Sequence, residues 1–215
     1  MLNIFKRNQQ PTTPMAPTSA PQTSAVLSGI NLVKGERISL TKENPNLDDI
    51  QVGLGWDVNE SRGSAYDLDA SVFLLGSNGK TERSKDCVYF GNLKSADGSV
   101  CHMGDNLTGE GEGDDEVIKV ALSKVSPSVK RILFTVSIYQ ARSRRQTFGN
   151  VSNAFIRVVD RKTGKELVRF NLTDDYKSAH SVIVAELYRH EGEWKFNAIG
   201  DGVSDEIGGL KQQYM

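Results

Sequence analysis

Apolar positions in this chain fall in short alternating runs punctuated by turn-forming clusters, and almost nowhere at helical spacing. Residues 30–33 and 37–40, joined by Lys34-Gly35-Glu36, predict two short strands around a turn. Residues 50–57 alternate with a period of two, and Gly53 and Gly55 within them allow a bulge or a close backbone approach. Residues 66–75, 88–90, 100–103 and 117–122 predict further strands, with a turn at 96–99, and 132–139 is the clearest buried strand. Two hairpins follow, 153–160 with 167–172 around the turn 162–165, and 181–189 with 194–199 around Glu191-Gly192-Glu193. Residues 140–149 predict a short helix or loop with a basic face of Arg142, Arg144 and Arg145, and 204–215 carry a weak amphipathic pattern for a short helix. About ten short strands with little helix predict an all-β fold, a sandwich of two packed, mainly antiparallel sheets.

The first 25 residues do not share this pattern. Pro, Thr, Ser, Gln and Ala dominate from Asn8 to Ser24, a composition unable to bury enough apolar surface to offset ordering, so a disordered tail at 1–25 precedes a domain at 26–215. Leu2, Ile4 and Phe5 beside Lys6-Arg7 offer at most a weak contact for a membrane surface or a partner. No run of 18 apolar residues exists to span a membrane, and no apolar core of a secretion signal follows Met1, so cytoplasmic residence is expected. Cys87 and Cys101 lack a metal-type spacing and are expected to be a reduced pair.

The net charge of −1 names no partner, but its distribution does. Residues 104–116, GDNLTGEGEGDDE, hold six carboxylates and no Lys or Arg, separated by Gly109, Gly111 and Gly113. Such a segment repels itself, and its glycines let the chain fold back to aim several oxygens at one point. A hard cation with oxygen ligands relieves that repulsion, and Ca²⁺ suits carboxylates, carbonyls and an Asn amide best. A solvated acidic loop is the alternative, opposed by the strand-like sequence that follows at once and pins the segment. The spacing is not that of an EF-hand, because Leu107 and Gly109 fall where side-chain oxygens are needed. Nor is it a phosphate loop, which needs Lys-Ser/Thr after the glycines. Asp67 and Asp69 alternate with Leu68, so in an extended chain both carboxylates face one side, where water or a cation must separate them.

The acidic segment, preceded by YDLDAS, Gly55-Trp56-Asp57 and LVKGERISL and followed by NAFIRVVD and FNAIGDG, resembles the TerD family of tellurite-resistance and stress-response proteins, over roughly residues 32–202. The resemblance implies a β-sandwich binding Ca²⁺ in an acidic crater, cytoplasmic residence, and a place in stress-response complexes at the inner face of the membrane. Carried over by motif, the ligand region is Asp67 and Asp69 with Asp105, Asn106, Thr108, Gly109, Asp114, Asp115 and Glu116. Thr108 and Gly109 would act through main-chain carbonyls, Glu110 and Glu112 would ligate or set the field, and Asp57 is a weaker candidate. So many carboxylates over-neutralise one Ca²⁺, which favours two.

The expectation is a non-catalytic Ca²⁺ module that presents a surface to other proteins of a tellurite-resistance complex, or peripherally to a membrane. The alternative is a metal-dependent hydrolase acting on phosphoesters, since paired metals on carboxylates activate water. Nucleic acid is not expected as a partner, because Arg142, Arg144 and Arg145 are one short basic cluster beside a strongly acidic loop. Asp105→Asn and Asp114→Asn are expected to weaken Ca²⁺ binding and leave the metal-free fold intact.

Overall fold

The computed structural model describes residues 29–58, 66–104, 113–172 and 176–215. The N-terminal tail, residues 59–65, and Asp105, Asn106, Thr108, Gly109, Glu110 and Glu112 of the acidic segment lie outside the described residues. Twelve strands among the described residues form two six-stranded sheets. In chain order they are β1 (Ile30–Leu32), β2 (Arg37–Ser39), β3 (Asp49–Val58), β4 (Leu68–Leu75), β5 (Cys87–Val88) and β6 (Val100–His102). The second half supplies β7 (Glu116–Ala121), β8 (Arg131–Ile138), β9 (Val151–Asp160), β10 (Glu166–Asn171), β11 (Ser181–His190) and β12 (Glu193–Val203). Sheet A runs β1-β10-β9-β3-β7-β6 and sheet B runs β2-β12-β11-β8-β4-β5. All pairs between these strands are antiparallel except β1 with β10. The expected all-β sandwich is the observed fold.

Period-two alternation builds the core between the sheets. Ile50, Val52, Leu54 and Trp56 of β3 turn inward, meeting Leu68, Ala70, Val72 and Leu74 of β4. The other side of β4 is buried as well, because the C-terminal helix (Ile207–Tyr214) lays Leu210 over Phe73, Leu75 and Leu133. That second layer explains why β4 reads as a continuous apolar run from Val72 to Leu75 rather than as an alternation.

The strands at 30–33 and 37–40 form on either side of a turn, but they join different sheets: β1 lies beside β10 and β2 beside β12. Gly35, at φ +87°, carries the chain from one sheet to the other and donates to Ala198 O at 2.7 Å. Ser39 ends β2 by accepting from Lys42 N at 3.1 Å, so Leu40 starts a four-residue helix, α1 (Leu40–Glu43), instead of extending the strand.

Asp97 ties the turn before β6 to the segment after β7. Its carboxylate accepts from Ser99 N and Oγ, Ser95 Oγ and Ser126 N at 2.6–2.9 Å. Burial alone would raise this carboxyl, but the bonds from Ser99, Ser126 and Ser95 outweigh it and hold it at about 2. An unfolded Asp titrates near about 4, so this contribution is complete above that pH and is lost as pH falls towards 2. Asp97→Asn is therefore expected to cost about 1–2 kcal/mol at neutral pH, discounted for partial exposure, and to flatten the acid limb of the stability curve in urea unfolding.

Candidate functional site

The acidic segment ends at the start of β7, and the last three acids fan out in three directions. A bend follows Gly113, which has φ +116°, and interrupts the strand alternation before Glu116. Asp114 lies over the outer face of sheet A. Arg157 of β9 grips both of its oxygens, Nε to Oδ1 at 2.6 Å and Nη2 to Oδ2 at 3.1 Å, and Gln51 Nε2 adds a third bond at 3.1 Å. The carboxylate sits where Gly53 has no side chain, since a Cβ there would overlap it. Gly55 likewise leaves room for the Phe155 ring, so both glycines serve a close approach. The Arg157 guanidinium is held above its ordinary range, first by its hydrogen bond to Asp114.

Asp115 turns to the register shift between Gly55 and Asp57 of β3, where β9 carries one extra residue. Its amide donates to Leu54 O at 2.8 Å and its Oδ2 accepts from Trp56 N at 2.8 Å. Burial, joined by the negative charges of Asp57 and Asp114, raises this carboxyl against the Trp56 bond that lowers it. Beside it opens a cleft of about 610 Å³ lined by Asp57, Asp115, Asn153, Phe155 and Arg169 among others. Asp57 accepts from Asn153 Nδ2 at 2.6 Å, and Arg169 stacks over Phe155 at 4.1 Å.

Glu116 points the opposite way from Asp114, into the gap between the sheets, and is 1% exposed. Its Oε2 accepts from Ala70 N of β4 at 2.5 Å, and His102 Nε2 of β6 lies 3.3 Å from the same oxygen. His102 Nδ1 accepts from Gly104 N at 3.2 Å, which leaves Nε2 as the protonated nitrogen facing Glu116. β5 covers β4 only at Val72 and Phe73, so the Ala70 amide projects past its end and Glu116 supplies the acceptor.

Asp69 stands across from Ser137 on the outer side of β4, opposite to Leu68 and Ala70. Tyr139 N donates to Asp67 O at 2.7 Å and extends the pairing by one step, so Asp67 and Asp69 share a face as the sequence predicts. Asp69 is 4% exposed, and Arg144 Nη1 lies 3.9 Å from Asp67 Oδ2. Arg142 instead reaches Asp205 and Ser204 O, so the arginine cluster diverges. Among the described residues, no three His, Cys, Asp or Glu side chains converge on a metal-sized point. The donors that remain are oxygens, and the Asp115 carboxyl, raised by burial and by its acidic neighbours, fits a hard cation. Asp114 is taken up by Arg157 and Gln51. Burial pushes the Cys87 thiol up to about 11, so at neutral pH it is not a thiolate.

A family model for the TerD domain matches residues 28–214. The chain belongs to the TerD family. General stress protein 16U of Bacillus subtilis is 47% identical over 186 residues, covering 86% of this chain and 96% of that one. Tellurium resistance protein TerD of Serratia marcescens is 47% identical over 185 residues, with the same shares. The crystal structure of a homologue of telluride resistance protein (TerD) from Streptomyces coelicolor A3(2) aligns at a TM-score of 0.62 and 25% identity, covering 77% of this chain and 96% of that one.

In this TerD-family chain the sequence reading missed Arg157, Gln51 and the Trp56 and Ala70 amides as partners of the acids. Only the glycines of β3 signalled that something would pack there. The neighbouring aspartates respond oppositely to neutralisation. Asp114→Asn loses the paired geometry at Arg157 and is expected to destabilise the metal-free protein by about 2 kcal/mol, which replaces the expectation of an intact fold. Asp115, with a raised folded pKa, loses stability as pH rises from about 4 through that value, so Asp115→Asn is expected to be neutral or stabilising by about 0.5 kcal/mol after screening. Urea unfolding in chelator at neutral pH measures both.

Proposed function

We propose that this protein is a non-catalytic Ca²⁺-binding stress-response module whose acidic segment, closed on the metal, organises a surface for protein partners. The observation that carries this reading is the hydrogen bond from the Ala70 amide to Glu116. It ties the end of the acidic segment to β4 at the residue next to Asp69, which supports a site shared between that segment and the strand that carries Asp67 and Asp69. Asp67, Asp69 and Asp115 would hold Ca²⁺ with Asp105, Asn106, Glu110, Glu112 and the carbonyls of Thr108 and Gly109, two ions in all. The cation supplies charge neutralisation, and binding to the folded chain alone stabilises it by mass action. A stress-resistance role is supported by relatives that carry the names general stress protein and tellurium resistance protein. The partners in this reading are other proteins of a stress complex at the inner face of the membrane. No helix among the described residues is long and apolar enough to cross one.

Calorimetric titration of the chelator-stripped full chain is expected to show about two Ca²⁺ ions bound at micromolar or tighter affinity, with a clear rise in melting temperature. Mg²⁺ competes poorly, because a crowded carboxylate cage suits six to eight ligands at longer distances. Asp69→Asn is expected to weaken Ca²⁺ at least about tenfold. Absence of binding heat and of any thermal shift would overturn the reading.

A further inference from the structure

Arg157 lies 41 residues beyond Glu116 in sequence, yet it holds the acidic segment's end by a two-pronged contact with Asp114. Three hydrogen bonds hold the Asp114 carboxylate over Gly53, with its side chain 4% exposed. Arg157 is itself braced, since Nη1 donates to Glu166 Oε2 at 3.1 Å and Glu166 in turn accepts from Arg169 at 3.0 and 3.3 Å. The next residue, Asp115, is bonded through both its amide and its carboxylate to β3, and Glu116 crosses to sheet B. Once Asp114 is fixed, the two acids after it have little freedom.

We propose that Arg157 is a positioning residue for the cation site, presetting the Asp115 carboxylate through Asp114 before the metal arrives. This rests on the Ca²⁺ reading above and adds a residue outside the acidic motif. Two physical effects of Arg157 on Ca²⁺ oppose each other. A guanidinium near a cation site repels the cation, so deleting it would tighten binding if charge alone mattered. Deleting it also releases the end of the acidic segment, which must then be ordered on binding, and this weakens affinity. Supporting residues behind metal ligands typically change affinity by about ten- to a hundredfold, more than screened repulsion from a paired guanidinium. Positioning should therefore prevail.

The test is Ca²⁺ calorimetry on full-length wild type, Arg157→Ala and Arg157→Lys, with melting curves in chelator. Both variants are expected to bind at least about tenfold and severalfold more weakly, respectively, because lysine keeps the charge but cannot form the two-pronged contact. In the metal-free state, hydrogen exchange at the Asp115 and Trp56 amides is expected to accelerate in both variants. Unchanged or tighter Ca²⁺ binding in folded variants would overturn the positioning role, even with a lowered melting temperature, as that pattern marks a purely structural contact. If Arg157→Ala does not fold, Arg157→Lys decides by the same criterion. Failure of the wild type to bind Ca²⁺ would instead bring down the underlying reading.

Discussion

A buried carboxylate joins the two sheets at one edge of the sandwich. Glu116 leaves β7 of sheet A and accepts from an amide of β4 in sheet B, with His102 of β6 beside it. Apolar packing between sheets is non-directional and tolerates small slides, whereas a buried carboxylate must keep its donors in place. Because the donor is a main-chain amide left over where β5 stops, the bond also sets where the acidic segment meets β4. A residue shift in either strand would strand Glu116 in the core without its amide. The position of the candidate site therefore follows from how the sheets are joined at this edge.

The β3 strand provides the other half of the constraint. Its inward residues are large and apolar, while its outward positions are reduced to Gly53 and Gly55 where the acidic segment and β9 press against it. Opposite an extra residue in β9, the pairing shifts between Gly55 and Asp57, and the Trp56 amide there donates to Asp115. One strand thus receives two adjacent acids by two mechanisms, a missing side chain for Asp114 and a misaligned amide for Asp115. Asn153, at φ +52° in the facing strand, accommodates the same irregularity with a residue type that tolerates left-handed backbone.

Alternation made most of the fold legible. β8, the β9–β10 hairpin and the β11–β12 hairpin are local patterns with turn signals, and each formed where its pattern lies. The assignment of β1 and β2 to opposite sheets was not legible, because three-residue edge strands carry no signal for their partner. The acid run was legible as a charge feature and the β3 glycines as a place of close approach. What the acids do was hidden, because Asp114 meets Arg157 across 43 residues and Glu116 meets Ala70 across 46. The bend after Gly113 also defeats any prediction from period two about which way each side chain points.

That bend separates functions that a regular strand would have merged. Had alternation continued, Asp114 and Glu116 would point to the same side with Asp115 opposite, and two carboxylates about 7 Å apart would compete for one set of partners. Reversing direction places Asp114 on a guanidinium outside sheet A and Glu116 on an amide between the sheets, so each acid has its own donors. Asp115, left between them, has one main-chain donor and feels the negative charge of Asp57 and Asp114. Of the three, it is the carboxylate whose environment a cation would improve most. Its two neighbours each have donors of their own within the chain, Arg157 and Gln51 for Asp114 and the Ala70 amide for Glu116.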